Sequence, residues 1–176
     1  MTTPPRRIVT GHDEAGRSVV LSDAPVPHML TRGTMVDFAE IWATSQTPCI
    51  IAADEVEPTS DKLAVSPAAG GVKFRINDFQ PGHIKSLKPR ADGRHPMMHR
   101  TKSLDFGIVL EGELYLILDD GKEVLLREHD VVIQRGTDHA WENRSNKRCR
   151  VAFILIDGEW DPALRAKLPE ALELRA

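Results

Sequence analysis

His99 and His139 stand near the two ends of one stretch of this 176-residue chain, and between them lie Thr101, Asp105, Gly112, Gln134 and Gly136. Imidazole titrates close to neutral pH, so a histidine can move a proton or give a lone pair to an ion. A carboxylate such as Asp105 can do the same work beside it. Residues two apart on a strand point to the same face. His99 and Thr101 therefore face together, as do His139, Trp141 and Asn143. Other chemistries find no footing. There is no GxSxG elbow and no glycine-rich phosphate loop ahead of a helix. Cys49 and Cys149 are far apart, form no CxxC pair and carry no pattern that marks a nucleophile.

The spacing of these residues resembles the two motifs of the cupin family. The first motif runs His-x-His, three or four residues, Glu, six residues, Gly, and falls on His99, Thr101, Asp105 and Gly112. The second runs Pro-x-Gly, two residues, His, three residues, Asn, and falls on Gln134, Gly136, His139 and Asn143. Threonine replaces the usual second histidine, aspartate the glutamate, and glutamine the proline. The resemblance implies an all-β fold, the cupin double-stranded β-helix or jelly-roll barrel. Its two motif strands would face each other across the barrel. His99, Asp105 and His139 would then be the catalytic residues and the ligands of a divalent iron, manganese, nickel or zinc ion. Aspartate is one methylene shorter than glutamate, so Asp105 has less reach toward such an ion. Thr101, Gln134, Trp141 and His95 are the candidate substrate contacts, with His95 also a substitute ligand four residues before His99.

Each of these residues has a plainer alternative. A histidine on a strand is often packed and hydrogen-bonded, and Asp105 can serve only to bond a neighbouring imidazole or amide. Thr101 and Gln134 can be cavity walls, and Trp141 can be core. Gly112, Gly136 and Asn143 read as structural, the glycines supplying positive φ. Three functions stay open. One is a metal-dependent enzyme, such as an oxidoreductase, acting on a small organic molecule of anionic or aromatic character. Another is a metal-free isomerase, cyclase or dehydratase using histidine and Asp105. The third is a small-ligand binding module without catalysis.

The elements that must position these residues are short β runs. Residues 7–10 and 18–21 suggest a hairpin, with Asp13 and Gly16 in its turn. Residues 38–43 suggest a strand with Ala39, Ile41 and Ala43 on one side and Phe38 and Trp42 on the other. Residues 54–71 read as a surface loop. Residues 72–79 alternate as a half-buried strand, Val72, Phe74 and Ile76 on one face and Lys73, Arg75 and Asn77 on the other. A long loop follows to about Met98. It is rich in cations, with Lys85, Lys88, Arg90, Arg94, Arg100 and Lys102 in or beside it and Asp92 the single acid. It reads either as a solvated, mobile segment or as a rim that attracts an anionic substrate. From His99 the β pattern is nearly continuous, with a tight turn at Asp119-Asp120-Gly121. Asp161 and Pro162 mark the N-cap and first position of a short helix through Leu168, with a second turn after Pro169.

The expected organisation is an N-terminal β extension over residues 1–71 packed on the barrel, the barrel over 72–157, and the helix over 158–176. The first seven residues read as disordered. The length suits one domain. A formal net charge of −3 gives no general attraction to nucleic acid. No apolar run approaches a membrane span, and the basic start lacks a signal-peptide core. The expectation is a cytoplasmic homodimer whose partner is a small-molecule substrate, with no nucleic acid and no membrane. The N-terminal strands and the apolar run over residues 38–42 are the candidates to cover the dimer contact.

Overall fold

The computed structural model describes residues 3–32, 36–53, 55–82, 84–85, 87–88 and 90–170. Met1 and Thr2, at the expected disordered start, and residues 171–176, where a second turn is expected, lie outside the described residues, as do His83 and Pro89 of the basic loop. Among the described residues, eleven strands carry the fold: β1 Arg6–His12, β2 Ser18–Pro25, β3 Met29–Arg32, β4 Val36–Ala43, β5 Val72–Phe79, β6 Ser103–Glu111, β7 Glu113–Ile117, β8 Glu123–Arg127, β9 Val131–Arg135, β10 Ala140–Glu142 and β11 Cys149–Asp157. One short helix, α1 Pro162–Arg165, follows.

Two sheets face each other. The larger runs β3-β4-β5-β11-β6-β9 and the smaller β10-β7-β8, while β1 and β2 pair as a separate hairpin. The core between the sheets joins Leu114, Leu116, Leu126 and Trp141 from the small sheet to Phe38, Phe79, Val109, Val151, Phe153 and Leu155 from the large one. This is the jelly-roll barrel. Burying two apolar sheet faces against each other is what makes such short strands stable.

Local chemistry explains the turns. Asp13 closes the β1–β2 turn by accepting from the Ala15 and Arg17 amides, both at 2.9 Å. Asp120 and Gly121 both take positive φ, 57° and 68°, as a two-residue hairpin of this twist requires. Gly112, with φ 80°, turns the chain from β6 into β7 where an added Cβ would lie 2.7 Å from the Arg148 carbonyl oxygen. Asn143 is wholly buried. Its Nδ2 donates to the Phe79 and Lys147 carbonyls at 2.8 and 2.7 Å, while its Oδ1 accepts from the Ser145 amide.

Several expectations are corrected. The alternation over residues 38–43 does not persist, because the β4–β5 register shifts between Glu40 and Trp42. Phe38 consequently lines the barrel cavity, whereas Trp42 lines a separate groove beside β1 and β2. Helix α1 ends at Arg165 rather than Leu168. Its cap is as expected, with Asp161 Oδ1 accepting from the Ala163 and Leu164 amides. The long basic loop is anchored, since Met97 and Met98 are buried against Ile117 and Ala140. Two of its cations are committed locally, Arg94 and Arg100 both lying beside the buried Asp138 carboxylate.

The largest difference is on β5. Its polar face is the buried one: Lys73, Arg75 and Asn77 point into the barrel, and Val72, Phe74 and Ile76 are only half-buried outside. Alternation defines two faces of a strand, but the packing of neighbouring strands decides which becomes the interior.

Candidate active site

β6 and the residues before it supply one wall of the site. His99, Thr101, Ser103 and Asp105 follow at intervals of two, and His99, Thr101 and Asp105 line the same cavity. The adjoining strip of wall, beside this one rather than across the barrel as expected, comes from the segment leading into β10. His99 and His139 form an isolated antiparallel bridge, each amide donating to the other's carbonyl at 2.9 Å. This backbone clasp brings the two imidazoles together with ring centroids 4.3 Å apart. Trp141 stacks edge-on against His139 at 5.6 Å and continues to Phe153 at 5.3 Å. The cavity holds about 630 Å³ of unfilled space, counting its open mouth, and β4, β5 and β11 complete its walls with Phe38, Arg75, Asn77, Phe79 and Leu155.

The tautomers of the two histidines are set by the backbone. His99 Nδ1 lies 2.9 Å from the Met97 carbonyl oxygen, and His139 Nδ1 lies 3.0 Å from that of Thr137. A carbonyl can only accept, so Nδ1 carries the proton and Nε2 the lone pair in each neutral ring. Burial, reinforced by the adjacent His99, pushes His139 down to about 3, so it is neutral at ordinary pH.

Asp105 moves the other way. Burial pushes its carboxyl up to about 6, against the opposing pull of hydrogen bonds from Ser103 and Thr101 and of the Arg75 charge. The Ser103 hydroxyl also bonds the Thr101 hydroxyl at 2.9 Å, so Thr101, Ser103 and Asp105 form one polar row. Arg75, itself buried, pairs with Glu40 at 2.9 Å and donates to the Ala64 carbonyl at 2.6 Å. Lys73 donates to that same carbonyl, also at 2.6 Å.

The expected ligand set is not assembled as a cage. Among the described residues, no three of His, Cys, Asp and Glu stand close enough to share an ion. His99 and His139 present the lone-pair arrangement of metal ligands, their other nitrogens held by carbonyls. Asp105 is instead tied to the hydroxyls of its own strand. The side chains present therefore fit two ligands, not the three expected.

Of the other candidates, Gln134 pairs with Asp105 across β6 and β9, but its amide donates to the Thr137 hydroxyl and it is outside the cavity wall. His95 is outside the wall too, its Nε2 3.8 Å from Glu142 Oε2. Thr101 and Trp141 do line the cavity. Sequence reasoning missed Ser103, Glu40, Arg75 and Asn77. The parity of residues 99 to 105 already contained Ser103. No signal in the chain marked the β5 polar face as interior.

The profile of the Cupin domain family matches residues 83–156. The chain is 33% identical to phomopsin biosynthesis cluster protein C' of Diaporthe leptostromiformis over 88% of its own length and 79% of that protein's. The chain is a cupin. This cupin is also 33% identical to the cupin-domain-containing oxidoreductase fogC of Aspergillus ruber, over 86% of its own length and 71% of the relative's. Among solved structures, an ethanolamine utilization protein from Salmonella typhimurium aligns over 90% of this cupin and all of that chain, with a TM-score of 0.46 and 12% identity. No helix among the described residues is long and apolar enough to cross a membrane.

Proposed function

We propose that this cupin is an enzyme of small-molecule biosynthesis that moves protons within its barrel, as an isomerase, cyclase or dehydratase does. The observation that carries this reading is the pairing of unlike groups in one cavity. Asp105 is held near 6, so it gives or takes a proton close to neutral pH. Neutral His139 offers a lone pair at Nε2. Groups whose environments drive their pKa values apart can divide acid and base roles. In such a step the Asp105 carboxylate takes a proton from the substrate and returns it at a second atom, while the His139 Nε2 lone pair accepts a hydrogen bond from a substrate hydroxyl. The names of relatives, which place them in biosynthesis clusters or call them oxidoreductases, support action on a small organic molecule. Neither cysteine adds a nucleophile, since burial pushes the Cys149 thiol up to about 12 and Cys49 lies exposed, away from the cavity. Two free thiols suit a cytoplasmic, reducing setting.

A second reading rests on the histidine pair. Their carbonyl-locked tautomers suit His99 and His139 to bind a divalent ion as the oxidoreductase names suggest, with water or substrate supplying the remaining ligands.

The experiment is deuterium wash-in from D2O into a panel of small hydroxyaromatic and dicarbonyl compounds, followed by NMR with and without chelator. Exchange that survives chelation and falls about 10²–10⁴-fold in Asp105→Asn is the expected result. Exchange abolished by chelator and restored by a divalent metal would overturn the acid–base reading in favour of the second.

A further inference from the structure

Three buried side chains in the cavity wall hold polar atoms that no protein group satisfies: Arg75 Nε, Asn77 Oδ1 and Asp105 Oδ1. Buried polar atoms are rarely left so, and each costs about 1–3 kcal/mol unpaired. Arg75 and Asn77 are successive inward residues of β5. Asp105 lies two strands away, next to Leu155 of β11, which in turn pairs with Lys73 of β5. The three thus flank the aromatic patch made by Phe38, Phe79 and Phe153. Arg75 Nη2 is already held by Glu40 and the Ala64 carbonyl, which anchors the guanidinium. Its orientation is therefore set before anything binds.

We propose that Arg75 and Asn77 form, with Asp105, the recognition end of the cavity, built for a small aromatic molecule bearing a carbonyl or carboxylate oxygen and a hydroxyl. The oxygen accepts from Arg75 Nε–H. The hydroxyl donates to Asn77 Oδ1, and Asp105 Oδ1 meets the adjoining polar edge. The ring lies on the phenylalanine patch, with Trp141 toward the histidine side. This deepens the acid–base reading, because it sets a substrate oxygen beside the carboxyl that exchanges protons. A site built to bond a hydroxyl rejects the analogue that lacks it more strongly than an apolar pocket rejects a methyl group.

The test is calorimetric titration of the whole protein with 3-hydroxybenzoate, 3-hydroxybenzamide, benzoate and m-xylene. The two hydroxylated carbonyl compounds are expected to bind at least about tenfold tighter than m-xylene, the difference of one to two satisfied hydrogen bonds. The ratio between benzoate-type and benzamide-type ligands tells whether the site takes the charged or the neutral oxygen. Asn77→Leu should erase the advantage of 3-hydroxybenzoate over benzoate. Arg75→Lys, which keeps a cation for Glu40, should erase the advantage of the carbonyl compounds while leaving m-xylene binding unchanged. Equal affinity for all four probes, no binding at millimolar concentration, or variants that keep the wild-type preferences would each overturn the proposal. If Arg75→Lys does not fold, the wild-type ratios and Asn77→Leu decide it. Because the readout is binding, a failure of deuterium exchange leaves this result standing, and the reverse also holds.

Discussion

At the scale of single residues, Asp105 and His139 pull the pH dependence of stability in opposite directions. Asp105 has its folded pKa raised from 3.8 to about 6, so the folded state holds the extra proton between those values. Its contribution is full below 3.8 and is lost as pH rises through 6, which makes the ionised carboxylate a burden at neutral pH. His139 is lowered from 6.5 to about 3, so the unfolded chain holds the extra proton between them. That contribution is present above 6.5 and is lost as pH falls toward 3. Asp105→Asn should therefore raise the melting temperature at pH 8, by an amount on the order of 2–3 kcal/mol in stability. It should also steepen the loss on acidification below pH 6.5, because the opposing group is gone. Melting curves of both proteins from pH 4 to 8 check this, and an unchanged melting temperature at pH 8 would show that Asp105 is not strained by its burial. A site residue whose removal stabilises the fold while abolishing turnover is the expected mark of function.

At the scale of elements, two joints decide whether the strands meet. Gly112 sits at positive φ with the Arg148 carbonyl where a side chain would go, so Gly112→Ala meets both backbone strain and a clash. It should cost about 1–3 kcal/mol or more, read by urea unfolding. An unaltered midpoint would mean that the β6–β7 turn can move. Asn143 ties the end of β5 to the loop before β11 through the Phe79 and Lys147 carbonyls. Asn143→Leu removes both bonds together with the acceptor of the Ser145 amide, and about 1–3 kcal/mol should be lost in the same measurement. Full retention of stability would show that water takes over both bonds. Both residues were legible as structural from their motif positions. The register shift in β4 was not, because a bulge depends on what the partner strand β5 presents.

At the scale of the molecule, the outer face of the large sheet remains apolar. Phe74, Ile154, Phe106 and Ile133 pair in a row across β5, β11, β6 and β9, and Ile76, Ala152, Ile108 and Val131 form the next row. Val131 and Ile133 are 58% and 49% exposed. On the β1–β2 hairpin Ile8 and Val20 are exposed as well. Contiguous apolar surface of this kind marks an interaction site, and a second copy of the chain offers a matching face by two-fold symmetry. Phe38, expected to help cover a dimer contact, is instead spent inside the barrel. The expectation is a homodimer through the sheet face. Sedimentation at micromolar concentration should give twice the chain mass, and Ile133→Lys should give a folded monomer. A monomeric wild type would refute it.

The spacing of His99, Gly112, Gly136, His139 and Asn143 carried the resemblance to cupins, and that resemblance, with short alternating strands and turn residues between, implied the jelly-roll barrel with two histidines in it. Those features are local, or repeat at fixed separations that a family of barrels shares. Tertiary structure alone buried Asp105 beside Thr101, Ser103 and Arg75. It alone turned Lys73, Arg75 and Asn77 inward and left two apolar rows outside. A strand's alternation is the same whichever face is buried, and the Asp105 pKa depends on burial and on neighbours brought together from β5 and the start of β6. Those are properties of packing, and no stretch of the chain carries them by itself.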